Sequence, residues 1–162
     1  MRLALVLAAA LLLGGAAPLT FSTFSLPATD RFQPVSRAFD WLTLRDREAP
    51  ANAPETGMVL IRVHPPVPAA DRPGRLAAML RNIRVFRFGA LPAAEQSSVA
   101  GLPAEVIETQ GISAQSLLPV RVRAMEVYGP GRSWLLVASA PPAEWSALEP
   151  EVAKIFAGFR PR

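Results

Sequence analysis

GLPAEVIETQ (101–110), LPVRVRAMEVYG (118–129), RSWLLVASA (132–140) and PPAEWSALEPEVAKIFAGF (141–159) decide the fold of this chain. In the second run Val120, Val122 and Ala124 share one face while Arg121 and Arg123 take the other, the two-residue period of a strand. Gly129-Pro130-Gly131 is turn chemistry and predicts a hairpin joining that strand to 134–138. Consecutive apolar residues in Trp-Leu-Leu-Val-Ala predict a central strand covered on both sides. In the fourth run Trp145, Leu148, Val152, Ile155, Phe156 and Phe159 recur at helical spacing and define one broad apolar face. Pro141 and Pro142 suit a helix entry, where a missing N–H costs nothing. Pro150 predicts a break or kink after Leu148, with the longer helix beginning at Pro150 itself. Three strands closed by a helix predict an α+β domain, an antiparallel sheet with a helix laid across it.

Upstream, MVLIRV (58–63) is a near-continuous, β-branched run that reads as a strand, and 39–44 partly alternates and reads as another. Pro65, Pro66, Pro68 and Pro73 exclude a regular helix over 64–74. Leu76, Met79, Leu80 and Ile83, with Phe86 or Phe88 at the end, predict a helix that starts near Asp71 or Pro73 and ends before Gly89. The segment 17–56 reads as an N-terminal arm and loop with one candidate strand, and 57–162 as the α+β core. Val59, Ile61, Leu80, Val122, Leu136, Val152 and Phe156 are the expected core residues.

The N-terminus reads as an address. Met1-Arg2 supplies a positive start, 3–13 is unbroken Leu, Ala and Val, and Gly14-Gly15-Ala16-Ala17 offers small residues for a signal peptidase. Cleavage after Ala16 keeps Pro18 away from the first mature position, so 1–16 is the expected signal peptide. The apolar run falls short of the roughly 20 residues a membrane-spanning helix needs. The chain has no cysteine, which excludes a lipid-anchored export route, disulfides, thiol catalysis and thiolate metal sites. A soluble periplasmic or secreted protein is expected, with no transmembrane span after leader cleavage. Removing Arg2 with the leader leaves 16 basic residues against 13 acidic ones, a net charge of +3. That is no nucleic-acid footprint.

Gly101-Leu102-Pro103-Ala104 opening a strand, two strands around a Gly-rich turn, and a helix ending Ile155-Phe156-Ala157-Gly158-Phe159-Arg160 resemble the PsbP/Mog-like superfamily, including its periplasmic DcrB-type bacterial relatives. The resemblance covers about 58–160. In bacterial relatives the last helix closes on an Ile-x-x-Ser-Phe-like pattern, and here Gly158 stands where Ser would be. The resemblance implies an α-β-α sandwich, with a helix on each face of an antiparallel sheet. It also implies a role in binding or assembly rather than catalysis, although the fold hosts unrelated functions.

Candidate chemistry is sparse. His64 is the only histidine, and no acidic residues are spaced around it as metal ligands, so it reads as an ordinary surface or loop residue. No strained Gly-x-Ser-x-Gly turn presents a nucleophile. Glu105 and Glu108, three apart on a strand, fall on opposite faces and make poor acid–base partners. Glu144, Glu149 and Glu151 suit the start of the last helix, whose dipole favours negative charge. No metal, cofactor or catalytic residue is expected. The arginines are the most informative polar set. Arg62, Arg121 and Arg123 come from strands; facing outward together, they would form a patch able to grip a carboxylate or phosphate. A solvated, charge-bearing sheet face that discourages aggregation fits the same residues.

The reading that follows is an exported, non-enzymatic accessory or binding protein of the bacterial envelope, whose partner is another envelope protein or a small anion. The alternative is a small periplasmic hydrolase or ligand-handling enzyme. A third option has a Phe-rich arm (Phe21, Phe24, Phe32) touching lipid or an outer-membrane partner.

Overall fold

Residues 17–38, 40–49 and 57–162 are described in the structure, a computed structural model. The expected leader, 1–16, lies outside them, as do Phe39 and 50–56 of the expected strand and loop. Strands β1 (Leu19–Thr20), β2 (Phe24–Leu26), β3 (Phe32–Ala38), β4 (Trp41–Asp46) and β5 (Met58–His64) come first. A 3-10 turn at Ala69–Asp71 leads to helix α1 (Arg75–Asn82). Then follow β6 (Phe86–Phe88), β7 (Glu95–Val99), β8 (Leu102–Ser113), β9 (Pro119–Tyr128) and β10 (Ser133–Ala140). Helix α2 (Pro142–Gly158) and a short β11 (Arg160–Pro161) complete the chain.

Every residue of β10 is buried, as its consecutive apolar positions predict, and the strand lies between β5 and β9. The main sheet runs β3-β4-β5-β10-β9-β8-β6, with β7 sharing the outer edge of β8, and all its pairings are antiparallel. The hairpin between β9 and β10 is the expected one, closed where Gly129 N–H donates to Arg132 O at 2.9 Å.

The segment expected as an arm does more than that. Its described residues hold four strands, and β3 and β4 extend the main sheet past β5. β1, β2 and β11 form a small second sheet that ties the N-terminal segment to the C-terminus. Phe24 of β2 and Phe32 of β3 are both buried, and Phe24 stacks on Phe159 with centroids 5.5 Å apart. These two rings belong to the core, and Phe21, partly buried against it, stacks on Phe24 with centroids 4.7 Å apart, so the three do not form a free lipid-facing arm.

The sheet carries one apolar cluster on each face. On one, Trp134, Leu136, Ala138 and Ala140 of β10 meet Trp145, Leu148, Val152, Ile155 and Phe156 of α2, with Phe159 just beyond it. Burying side chains of this size contributes about 2 kcal/mol each. On the other, Leu135 and Val137 join Val122, Ala124 and Ile107 beneath Leu76 and Leu80 of α1. All seven expected core residues are buried. The chain is therefore a single α+β domain, mainly antiparallel sheet with two helices, but the two layers of helix are unequal.

α2 runs unbroken through Pro150, contrary to the expected break. Pro150 and Ser146, whose carbonyl loses its N–H donor, are both exposed, so the lost bond falls on the water side. α1 is shorter than expected: it stops at Asn82, and Phe86 and Phe88 lie on β6 instead. Eight residues make a helix about 12 Å long and 10 Å across, enough to cover two or three strands spaced about 4.8 Å apart. α1 lies over β6, β8 and β9. The β4–β5 part of its face is left open, and the sandwich is only partly built on that side.

Candidate functional site

Register brings one row of residues across this face. Trp41 pairs with Arg62, Arg62 with Leu135, Leu135 with Glu126, Glu126 with Glu105, and Glu105 with Gln96. Cross-strand partners share a face, so all six stand on the α1 side. The row divides into a buried acidic half beneath the start of α1 and an open basic half beyond its end.

In the buried half Glu126 has no solvent exposure. Arg75 Nε donates to its Oε1 at 3.0 Å, Ser133 Oγ donates to the same oxygen at 3.0 Å, and Tyr128 Oη lies 3.2 Å from Oε2. Tyr128 Oη is also 3.0 Å from Oε2 of Glu105, whose Oε1 accepts from Gln96 Nε2 at 3.0 Å. The Arg72 guanidinium covers the tyrosine ring, 4.7 Å from its centroid. Burial first, then the adjacent Glu126 charge, pushes the phenol well above its ordinary pKa. These partners satisfy a buried carboxylate that would otherwise be costly. They also fix where α1 begins.

In the open half a groove of about 520 Å³ lies between β5 and the end of α1. Trp41, Leu60, Arg62 and His64 form one side, Leu135 the floor, and Met79, Asn82, Ile83, Arg84 and Val85 the other side. Its volume is in the range of small-ligand and peptide-anchor sites. Arg62 and Arg84 are exposed and have no hydrogen-bond or ion-pair partner among the described residues. His64 is half-buried, and burial pushes its imidazole below the usual value; the Arg75 and Arg62 charges act the same way against the opposing pull of Glu126. Its Nε2 is buried without a hydrogen-bond partner among the described residues. The groove thus offers apolar walls, two free guanidiniums and a largely neutral imidazole, a combination suited to gripping a carboxylate attached to something apolar.

The three arginines expected to form one patch do not meet. Arg123 pairs in register with Ala138 and Arg121 with Ala140, which places both on the α2 face, opposite Arg62. There they stack on Trp145, with guanidinium carbons 5.5 Å (Arg121) and 5.8 Å (Arg123) from the ring centroid. Arg123 further binds Glu108, and Glu149 Oε1 at 2.9 Å. Both of its ion pairs and its ring contact lie within the fold. His64, expected as an ordinary surface or loop residue, instead ends β5 and lines the groove. Trp41, Met79 and Asn82 were not expected there. Leu60, Arg62 and His64 alternate along one strand, a signal that names the face but not what lies across it.

No protein-family model matches this chain, and no curated protein does. Solved structures do. Cyanobacterial PsbP (CyanoP) from Synechocystis sp. PCC 6803 aligns over 86% of both chains with a TM-score of 0.64 at 10% identity. The fold is PsbP-like. LpqN of Mycobacterium tuberculosis, involved in cell envelope biogenesis, shares it with a TM-score of 0.61 at 15% identity, over 85% of this chain and 82% of its own. A Bacteroides thetaiotaomicron structure aligns with a TM-score of 0.55 at 8% identity, and this chain spans only 45% of its length. Identities this low carry the PsbP-like fold across and leave each protein's role behind. Among the described residues no helix is long and apolar enough to cross a membrane.

Proposed function

We propose that this protein is an exported, non-enzymatic accessory protein of the bacterial envelope. It uses the open half of its α1 face to hold an acidic segment of another envelope protein. The observation that carries the reading is the pair Arg62 and Arg84, both without a side-chain partner among the described residues, flanking an apolar groove left open by a short helix. Guanidiniums at a groove rim suit a carboxylate, and Trp41, Leu60 and Met79 suit the apolar residue beside it. The N-terminal leader-like sequence supports export, and the PsbP-like fold is shared with an envelope-biogenesis protein. The hydrolase alternative would need a nucleophile and a base converging on the groove. Its polar lining of Arg62, His64, Asn82 and Arg84 favours binding instead.

The test is a cross-linking pull-down of the tagged protein from periplasmic extract, with Arg62→Glu/Arg84→Glu run beside it. A partner held by the parent and lost by the folded double variant is the expected result. A partner retained by the variant would move the interface off the groove.

A further inference from the structure

The hairpin of β8 and β9 ends in a tip, 114–118, whose last two residues are Leu117 and Leu118. Leu117 is 63% exposed and Leu118 57%, beside Val85 at 48% and Ile112 at 46%. Of the six large apolar side chains exposed among the described residues, these four gather at one end of the sheet. Ala114 N–H donates to Val85 O at 3.0 Å, and Ile112 pairs in register with Arg87, so the four are neighbours.

The turn that presents the leucines is unusual. Leu117 has φ +62°, a left-handed backbone that a leucine rarely adopts and that Gly or Asn would take readily. It is held there because Leu117 N–H donates to Ser113 O at 3.0 Å and Ser113 N–H to Leu118 O at 2.9 Å. Ser113 Oγ also accepts from the Ser116 N–H at 3.2 Å. Both the backbone and the solvation of this position disfavour leucine, so folding does not explain its presence.

Charge narrows what the tip meets. Arg84 and Arg87 are the only charged residues within 83–94, and none occurs within 109–120. Both arginines are exposed and lack a hydrogen-bond or ion-pair partner among the described residues. The depression of about 640 Å³ beside Arg87, Ile112 and Leu117 is wide open to solvent, so it suits contact with a surface better than enclosure of a small ligand. Leucines flanked by arginines, with no acid in either segment, match a negatively charged lipid surface, where apolar groups enter the headgroup layer and cations meet phosphates.

We propose that the 114–118 tip docks this protein onto an anionic lipid surface, with Leu117 and Leu118 entering the headgroup layer and Arg84 and Arg87 contacting lipid phosphates. This surface adjoins the groove and shares Arg84 and Val85 with its lining, whereas Arg87, Ile112, Leu117 and Leu118 lie outside it, and the vesicle test needs no groove partner.

The absence of cysteine makes the test direct. Leu118→Cys is labelled with an environment-sensitive nitrobenzoxadiazole dye, and Pro130→Cys, at the opposite end of β9, serves as the control. With phosphatidylglycerol vesicles the dye at 118 shifts to the blue and brightens, while the dye at 130 stays unchanged. Arg84→Gln/Arg87→Gln in the 118-labelled protein weakens partition about thirtyfold, and pure phosphatidylcholine vesicles give no shift. No shift at 118 with anionic vesicles overturns the proposal. So does an equal shift at both positions, which would mean general adsorption. A shift without vesicles that grows with protein concentration also overturns it, since the tip would then be a contact between copies.

Discussion

Arg75, the first residue of α1, places its Nε 3.0 Å from Oε1 of Glu126, a carboxylate wholly removed from solvent. This pair pins the start of the helix over β9. With only seven residues to follow, α1 ends at Asn82, short of β5, and the groove is the space it leaves. Arg75→Met should therefore destabilise the fold by about 3 kcal/mol, at the low end for a buried pair because Arg75 itself is partly exposed. Adding Glu126→Gln should restore part of that loss in a denaturant double-mutant cycle. Independent, additive losses would show that the pair does not hold the helix.

Tyr128 is the only tyrosine, so its ionisation can be read without interference from another phenol. Burial and the neighbouring Glu126 and Glu105 charges raise its pKa. The unfolded phenol titrates near 10, so the stability this group supplies is complete below that pH and lost as pH rises above it. Phenolate absorbance should appear only together with loss of near-ultraviolet circular dichroism. A reversible phenolate signal near pH 10 in the folded protein would contradict the buried network.

His64 works in the opposite pH range. Its folded pKa lies below the ordinary value of about 6.5, so the unfolded chain binds more protons in that window. Stability is complete above about pH 6.5 and falls as pH drops through the folded pKa. The melting temperature of the parent should decline more steeply between about pH 7 and pH 5 than that of His64→Gln. Parallel pH profiles would mean that His64 is not held neutral.

Arg123 and Arg62 should behave differently although both are strand arginines. Arg123 holds Glu108 and Glu149 and stacks on Trp145, so Arg123→Ala should cost about 1–2 kcal/mol in chemical denaturation. Arg62→Ala should stay within about 0.5 kcal/mol of the parent. An equal cost at both positions would remove the distinction between a structural and a free arginine.

Gly158 explains the departure from the Ser seen in the Ile-x-x-Ser-Phe-like ending. A Cβ built there would stand 2.7 Å from Pro27 Cγ, in the segment after β2 that the small sheet ties to the C-terminus. Gly158→Ser should destabilise by about 1–3 kcal/mol through overpacking, and trimming Pro27 to Ala should recover part of it. Thermal melts of the single and double variants decide this.

Much of the fold was legible because its signals are local. The apolar face of α2 from Trp145 to Phe159, the turn at Gly129-Pro130-Gly131 and the unbroken apolar run of β10 each lie within a short window. β1, β2 and β3 were not legible, because short edge strands with Pro, Ser and Gln make sense only once β4 and β11 are there to pair with them. Pro150 misled for a related reason: its cost depends on which side of the helix faces water, and packing alone decides that.

The site shows where the division falls. The sequence by itself determined that Arg62, Arg121 and Arg123 sit on strands, and that Arg121 and Arg123 share a face, because alternation is a property of a single strand. It could not determine the phase between strands. Pairing Arg62 with Leu135, and Ala138 with Arg123, puts the first arginine over the open groove and the other two beneath α2. A shift of one residue in either ladder would reverse that assignment. Register is set by which apolar faces close against which helices, so only the tertiary structure decided which arginine is free to bind and which are built into the fold.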